Sequence, residues 1–216
     1  MSVNPLDLVR SRFADGQQNP PVVLSGCGPV ALRISRHREL LSLWHDLDYR
    51  EIVEVGTEAG RFAEEICRAN PQAHLTCVDP WLAYDRYEDH VSQSRLDNFY
   101  EVARHRLTKQ NAFNVTLIRK TSLDAVEAFA DGSLDAVFID GNHHFDFVVR
   151  DIIAWAPKVR VGGMVSGHDY KPEGSERTPI PFGVIEAVTA YTAAHKIKPY
   201  FITTRDKCPS WFWIKE

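Results

Sequence analysis

Apolar runs of strand length recur along the chain from residue 51 onward, and segments with helical spacing of apolar positions separate them. The predicted strands are residues 52–55, 75–78, 115–118, 134–139 and 161–166. The predicted helices are residues 60–69, 88–107, 123–129, 145–156 and 184–194. In the fourth helix, a three-and-four spacing relates the apolar residues Phe145, Val148, Val149, Ile152 and Trp155. This alternation of strands and helices predicts a mostly parallel sheet with helices on both faces.

The last two predicted strands, residues 200–203 and 211–214, are joined by a connection too short to hold a helix. Only an antiparallel pair fits such a connection. The predicted fold class is therefore α/β, with a doubly wound, mostly parallel sheet that ends in an antiparallel hairpin strand. Residues 1–50 precede the first strong strand and show helical spacing over 35–47. We expect them to form an N-terminal helical extension, packed beside the site of a domain that spans 51–216.

Composition limits the partners and the compartment. The 216 residues include 25 Lys and Arg against 29 Asp and Glu, a net charge of −4, so the chain has no general attraction for nucleic acid or anionic membranes. We expect neither as a partner. The four cysteines, Cys27, Cys67, Cys77 and Cys208, show no paired spacing. Free thiols, a polar N-terminal stretch and the lack of a membrane-length apolar run together favour the cytoplasm.

Two acids and two glycines mark the first half of the predicted sheet. Glu54 lies at the end of the first strand, and Gly56 and Gly60 follow it at the start of a helix. Asp79 follows the second strand, 25 residues after Glu54. A glycine turn followed by an acid at this spacing is typical of a site that binds the ribose of a nucleoside cofactor.

A second group of polar residues follows the fourth and fifth predicted strands. Asp140 and His143 come after the fourth strand, and His168 and Asp169 come after the fifth. Because ligands of parallel sheets bind at the carboxyl ends of the strands, we expect these side chains to face the cofactor. They are the candidate catalytic residues.

With these residues in order, the chain resembles the class I S-adenosylmethionine-dependent methyltransferases. More narrowly, it resembles a small-molecule O-methyltransferase-like group, through Asp140-Gly141-Asn142-His143 and the late Gly167-His168-Asp169-Tyr170. The resemblance covers residues 51 to 216. It implies a Rossmann-like fold and an enzyme that moves the methyl group of S-adenosyl-L-methionine to a small-molecule acceptor, with a hydroxyl as the expected target.

The resemblance also implies roles for individual residues. Glu54 and Asp140 would lie at the methionine end of the cofactor, and Asp79 would accept hydrogen bonds from the ribose. Trp81 would stack near the ribose or line the acceptor site, with simple packing in the wall as the alternative. Thr121 and Ser122 would touch the adenine edge, with helix capping as the alternative. The full predicted cofactor-binding set is Glu54, Gly56, Thr57, Gly60, Asp79, Pro80, Trp81, Thr121, Ser122 and Asp140.

Two chemistries are open at the reacting end. A divalent metal ion held by Asp140, His168 and Asp169 would orient and acidify the acceptor hydroxyl, although an imidazole ligand suits magnesium poorly. Alternatively, His143 or His168 would act as a general base, because the ordinary pKa of histidine suits neutral pH.

Other functions share part of this pattern. A nicotinamide-dependent oxidoreductase would share the glycine turn and the ribose acid, but it would normally carry Gly-x-Gly-x-x-Gly, which Gly56 and Gly60 do not form. A cofactor-binding protein without transfer activity is a further alternative. A homodimer through the N-terminal helices is a hypothesis. The polar segment 171–182 is a candidate lid or acceptor-recognition loop, or an ordinary connection.

Overall fold

A single mixed sheet organises the computed structural model, which describes residues 4–14, 28–83, 92–175 and 178–216. Within these ranges, the strands of this sheet are β1 (Val30–Leu32), β2 (Glu51–Val55), β3 (His74–Val78), β4 (Val115–Ile118), β5 (Leu134–Ile139), β6 (Val159–Gly167), β9 (Phe201–Thr203) and β10 (Trp211–Ile214). Their order across the sheet is β1-β9-β10-β6-β5-β2-β3-β4. Neighbouring strands are parallel except at β10, which is antiparallel to both β6 and β9. The predicted fold class, including the closing antiparallel strand, is confirmed.

Helices connect the strands in the predicted order. They are α1 (Pro5–Val9), α2 (Leu41–Asp46), α3 (Arg61–Ala69), α4 (Gln93–Arg104), α5 (Ser122–Val126), α6 (Phe145–Trp155) and α7 (Val184–Ala194). A π-helical segment at Arg36–Leu40 leads into α2, and another at His105–Gln110 continues α4. None of the helices in the described ranges combines the length and apolar character that a membrane crossing requires.

The two faces of the sheet carry separate hydrophobic clusters. On β5, Ala136 and Phe138 belong to one cluster, and Val137 and Ile139 belong to the other. Side chains of α2 and α3 cover the first face, whereas α6 and α7 cover the second. A strand buried on both faces reads as a continuous apolar run, which explains why β5 was recognisable from its sequence.

The N-terminal extension is more than helical. Its strand β1 pairs in parallel with β9 and extends the edge of the main sheet, a strand that the apolar pattern of residues 1–50 did not indicate. The predicted helix over 35–47 is present, and Leu40, Leu41 and Trp44 are buried as its pattern indicates. The division between 1–50 and 51–216 stays a prediction.

Other local predictions need correction. Phe145 was predicted on the apolar face of α6, but as the first residue of that helix it is exposed. The segment 171–182 contains a separate antiparallel pair, β7 (Glu173–Ser175) and β8 (Thr178–Pro181). Residues 88–91 of the predicted helix 88–107 lie outside the described residues.

Strand register places the predicted site residues at one edge of the sheet. Val55 pairs with Val78 on β3 and with Ile139 on β5, and Ile139 pairs with Gly167 on β6. The residues that follow these four positions therefore leave the sheet at the same level. Gly56, Asp79, Asp140 and His168 are those residues.

Candidate active site

A cavity of about 810 Å³ opens at the carboxyl edge of β2, β3, β4 and β5. Among the described residues, its lining includes every predicted site residue except Gly60 and His168. Gly60 lies at the start of α3, and His168 is turned toward the backbone carbonyl of Cys208, with Nε2 3.2 Å from that oxygen. The cavity therefore brings together the acids at the ends of the first strands, Glu54 and Asp79, and those that follow the later strands, Asp140 and Asp169.

The glycine turn brings backbone to the floor of this cavity. Gly56 has φ of +89°, and a Cβ there would lie 2.0 Å from the carbonyl oxygen of Asp140. Glycine is required on both grounds, because a side chain would be strained and would collide with the neighbouring loop. Gly60 precedes α3 with φ of +71°, in the left-handed region that favours glycine. These contacts give the predicted glycine spacing its structural reason.

Glu54 is a buried carboxyl beneath the turn, with 2% of its surface exposed. Its Oε2 accepts a hydrogen bond of 2.8 Å from the hydroxyl of Thr57. Burial raises the pKa of Glu54 from the usual 4.5 to about 8, and the hydrogen bond from Thr57 opposes that rise. Such a carboxyl is poised to ionise when a cation enters the cavity.

Asp79 is held by the backbone of two loops. Its Oδ2 accepts a 2.9 Å hydrogen bond from the N–H of Glu58, and its Oδ1 accepts one of 2.7 Å from the N–H of Trp81. Burial raises the pKa of Asp79, although these backbone donors oppose the rise. Each carboxylate oxygen can accept more than one hydrogen bond, so a fixed Asp79 can still receive ligand hydroxyls.

Trp81 is part of the cavity wall. It is fully buried, its Nε1 donates to the carbonyl of Glu58 at 2.8 Å, and its ring packs edge-on against Tyr100 at 5.0 Å. The indole thus holds the turn that carries Glu58. This placement favours the packing alternative over stacking on a ligand.

Thr121 and Ser122 both use their hydroxyls within the protein. Thr121 caps α5, accepting from the backbone N–H of Asp124 at 3.2 Å and donating to its carboxylate at 2.6 Å. Ser122 donates to Asp151 Oδ1 at 2.5 Å and accepts from the indole N–H of Trp155 at 2.8 Å. The capping alternative therefore describes Thr121, whereas Ser122 orients a carboxyl that the sequence analysis missed.

The four candidate catalytic residues lie together at the ends of β5 and β6. His143 Nε2 is 2.9 Å from Asp169 Oδ2. His168 Nδ1 is 3.5 Å from one carboxylate oxygen of Asp140 and 3.5 Å from one of Asp169. The His143 ring packs on Phe182, with centroids 4.4 Å apart. These residues were expected to lie close together because they follow neighbouring strands, and the structure places them in contact.

Contacts with the two carboxylates distinguish His168 from His143. Burial lowers the pKa of His168, but the carboxylates of Asp140 and Asp169 outweigh that effect and raise it to about 9. Burial raises the pKa of Asp169, yet His143 and His168 outweigh it and hold the pKa well below its usual range. His168 is therefore an imidazolium at neutral pH, which suits a fixed positive charge and not a base.

Arg36, from the N-terminal extension, also faces this group. Its side chain is 15% exposed, its guanidinium lies 4.6 Å from the ring centre of Phe62, and Nη1 is 3.5 Å from Asp140 Oδ2. A hydrogen bond of 2.6 Å from its backbone N–H to Asp206 anchors the segment. No local signal in the sequence marked Arg36, although the extension was expected beside the site.

Two overlapping sets of described residues could hold a metal ion. They are Asp140, His143 and Asp169, and His168, Asp169 and Cys208, each with ligand atoms within 4.8 Å of one another. The predicted set of Asp140, His168 and Asp169 meets at His168 Nδ1. Both carboxylates already face cations, since Arg36 lies near Asp140 and Lys171 Nζ is 3.9 Å from Asp169.

Comparison with known proteins agrees with this geometry. A family model described as "Methyltransferase domain" matches residues 53–170, more than half of the chain, and the chain belongs to that family. The uncharacterized protein y4gI of Sinorhizobium fredii (strain NBRC 101917 / NGR234) is 28% identical over 131 residues, which are 59% of this chain. The match spans only 14% of the length of that curated relative.

Solved structures with the same fold include two O-methyltransferases. TomG from Streptomyces achromogenes, involved in tomaymycin synthesis and solved in complex with SAM, is 18% identical with a TM-score of 0.56, over 82% of this chain and 78% of that one. The O-methyltransferase from Bacillus cereus, in complex with SAH, is 16% identical with a TM-score of 0.59, over 84% and 82%. At these identities the likeness shows the fold.

Proposed function

We propose that this methyltransferase-domain protein transfers the methyl group of S-adenosyl-L-methionine to a hydroxyl of a small-molecule acceptor. The observation that carries the proposal is the placement of Glu54 and Asp79 on either side of the Gly56 turn in one cavity. Membership of the methyltransferase-domain family supports it, as does the shared fold with proteins solved with SAM or SAH bound.

The cavity residues fit the cofactor group by group. Gly56 leaves the backbone open to close approach, because a Cβ would occupy that space. The carboxyl of Glu54 would bind the ammonium of the methionine moiety, and the guanidinium of Arg36 would oppose its carboxylate. Asp79, preceding Pro80 in the cavity wall, would accept hydrogen bonds from the two ribose hydroxyls. When bound, the cofactor supplies an electrophilic methyl group on a positively charged sulfur.

Proton removal falls to His143 together with Asp169. Both residues line the cavity, and the 2.9 Å contact between them would orient the imidazole and stabilise its charged form. The acceptor oxygen forms its bond to the methyl carbon as the carbon–sulfur bond breaks, and the hydroxyl proton passes to the His143–Asp169 pair. His168, which is already charged and lies behind the lining, would position the carboxylates of Asp140 and Asp169.

We propose that the transfer needs no metal ion. The carboxylates of Asp140 and Asp169 already face the cationic side chains of Arg36 and Lys171, at 3.5 Å and 3.9 Å. A divalent ion at this position would add charge to a group that is balanced without it. Transfer should therefore keep its rate after dialysis against a chelator. Loss of the rate on chelation, with recovery on adding manganese or another transition metal, would contradict this.

A small molecule is the partner that the cavity and the charge of the chain support. The net charge of −4 gives no general attraction for nucleic acid or for an anionic membrane. Cytoplasmic location and a homodimer through the N-terminal helices remain predictions.

A labelled-methyl assay tests the proposed transfer. The chain would be incubated with S-adenosyl-L-methionine carrying a tritiated methyl group and with fractionated extracts rich in hydroxylated small molecules. Labelled product should form with the wild type and fall at least about 100-fold with His143→Gln, while His45→Gln, on the exposed part of α2, serves as the control. Tight cofactor binding without transfer to any fraction would favour the non-catalytic alternative.

A further inference from the structure

Asp151 is a buried carboxyl in the cavity that the proposed mechanism does not use. It lies on α6 with 7% of its surface exposed, and it lines the same cavity as Glu54 and Asp79. Its Oδ2 lies 3.8 Å from the position that a Cβ on Gly141 would take. Burying a carboxyl costs stability unless hydrogen bonds or a nearby charge compensate it.

A chain of hydrogen bonds fixes the orientation of this carboxyl. The indole N–H of Trp155 donates to Ser122 Oγ at 2.8 Å, and Ser122 in turn donates to Asp151 Oδ1 at 2.5 Å. Because Ser122 accepts from Trp155, its own proton must point at Asp151. Oδ2 accepts no hydrogen bond from the described residues, so it is the polar atom that this chain of contacts presents to the cavity.

The strand order places Asp151 Oδ2 near the position expected for the adenine of the cofactor. This step rests on the proposed function, in which the methionine moiety lies over β2 and the ribose over β3. The next strand along the sheet is β4, and α5 begins just after it with Ser122. Leu123 and Phe147 line the cavity there and offer apolar surface to a flat ring. The purine would therefore lie between them, with its polar edge toward Asp151.

We propose that Asp151 Oδ2 accepts a hydrogen bond from the exocyclic 6-amino group of the cofactor's adenine, and that this contact selects 6-aminopurines over 6-oxopurines. The acceptor suits an amino group, which donates, and opposes a carbonyl oxygen, which only accepts. Among the described residues, the contacts that set the pKa of Asp151 are burial, which raises it to about 6, and the opposing hydrogen bond from Ser122. The carboxyl is thus mostly ionised at neutral pH.

Binding of two matched ligands tests the proposal. S-adenosylhomocysteine and S-inosylhomocysteine differ only at the purine edge, the second carrying a 6-oxo group and a ring N–H. Isothermal titration calorimetry should show the wild type binding the adenosyl ligand about 10- to 100-fold more tightly, since the oxo ligand leaves a buried acceptor facing another acceptor. Equal affinities for the two ligands would overturn the proposal, and this comparison needs no variant.

Asp151→Asn separates recognition from a purely structural role. Ser122 still directs its proton at the Oδ1 position, so the amide oxygen would take that place and the amide N–H₂ would face the cavity. The group that faces the purine then donates a hydrogen bond instead of accepting one. The ratio of the two affinities should fall to near one or reverse in favour of the inosyl ligand. Asp146→Asn, an exposed residue in the first turn of the same helix, should keep the wild-type preference.

The outcomes also distinguish this proposal from the function on which it rests. A wild type that binds neither ligand contradicts the proposed cofactor. A wild type that binds S-adenosylhomocysteine with no preference leaves the function in place and removes Asp151 from adenine recognition. A folded Asp151→Asn variant that keeps the wild-type preference does the same.

Discussion

Glu54 is a buried carboxyl at the end of β2, and replacing it with glutamine separates its cost to folding from its contribution to binding. The glutamine side chain has the same shape, and its amide oxygen can still accept the hydrogen bond that Thr57 donates. What the substitution removes is the ability to carry a negative charge. We expect Glu54→Gln to be more stable than the wild type at neutral pH and to bind the cofactor more weakly.

The pKa of Glu54 sets the size and pH range of the stability change. The unfolded carboxyl loses its proton near pH 4.5 and the folded one near pH 8, so between these values the unfolded state binds fewer protons. Stability of the wild type is therefore fully present below pH 4.5 and falls as the pH rises toward 8. At pH 7 the cost is about 3 kcal/mol, and at pH 5 it is below about 1 kcal/mol.

Urea unfolding at both pH values measures this difference. Glu54→Gln should gain about 3 kcal/mol over the wild type at pH 7 and little at pH 5. Glu51→Gln, an exposed residue at the start of the same strand, should stay within about 0.5 kcal/mol of the wild type. A Glu54→Gln variant that is no more stable at pH 7 would show that burial does not raise the pKa as argued.

Calorimetry with S-adenosylhomocysteine measures how Glu54→Gln changes ligand binding. Loss of the charge that meets the ligand ammonium should weaken binding by about 10- to 100-fold. Wild-type binding at pH 7 should release close to one proton from Glu54, seen as a dependence of the heat on buffer, and Glu54→Gln should release none from this position. Equal affinity of the two proteins would refute the assigned contact with the ammonium.

Three further substitutions test other parts of the site. Gly56→Ala should destabilise the fold by more than about 3 kcal/mol in thermal unfolding, because its Cβ would lie 2.0 Å from the carbonyl oxygen of Asp140. Gly132→Ala, with φ of +69° and only an ordinary contact of 4.0 Å to the Cα of Arg160, should cost about 1–2 kcal/mol. Asp79→Asn should weaken S-adenosylhomocysteine binding about tenfold or more without unfolding the protein, and unchanged affinity would remove it from the ribose contact. His143→Gln should lower the transfer rate while leaving cofactor affinity within about twofold, and a matching loss of affinity would point to binding instead of proton removal.

Local patterns predicted the parts of the site that depend on single strands. β3 and β5 are apolar runs buried on both faces and are followed by Asp79 and Asp140, whereas β2 carries Glu54 one residue before its end. Parallel register then brings those ends to one edge, which is why Glu54, Asp79 and Asp140 could be grouped from their order alone.

Contacts between distant segments could not be predicted in this way. Arg36 meets Asp140 across 104 residues, and Asp151 meets Ser122 across 29, with no spacing that marks either contact. Strand β1 is three residues long, too short to show a period. Trp81 had two interpretations from sequence, and only the placement of its indole N–H on the Glu58 carbonyl favours the packing one.

Direct titration of the wild type with S-adenosylhomocysteine and with NAD tests the central claim of a methyl-transfer cofactor site. We expect one molecule of S-adenosylhomocysteine to bind per chain, with a dissociation constant in the micromolar range, and NAD to give no measurable heat. Binding of NAD without binding of S-adenosylhomocysteine would contradict it.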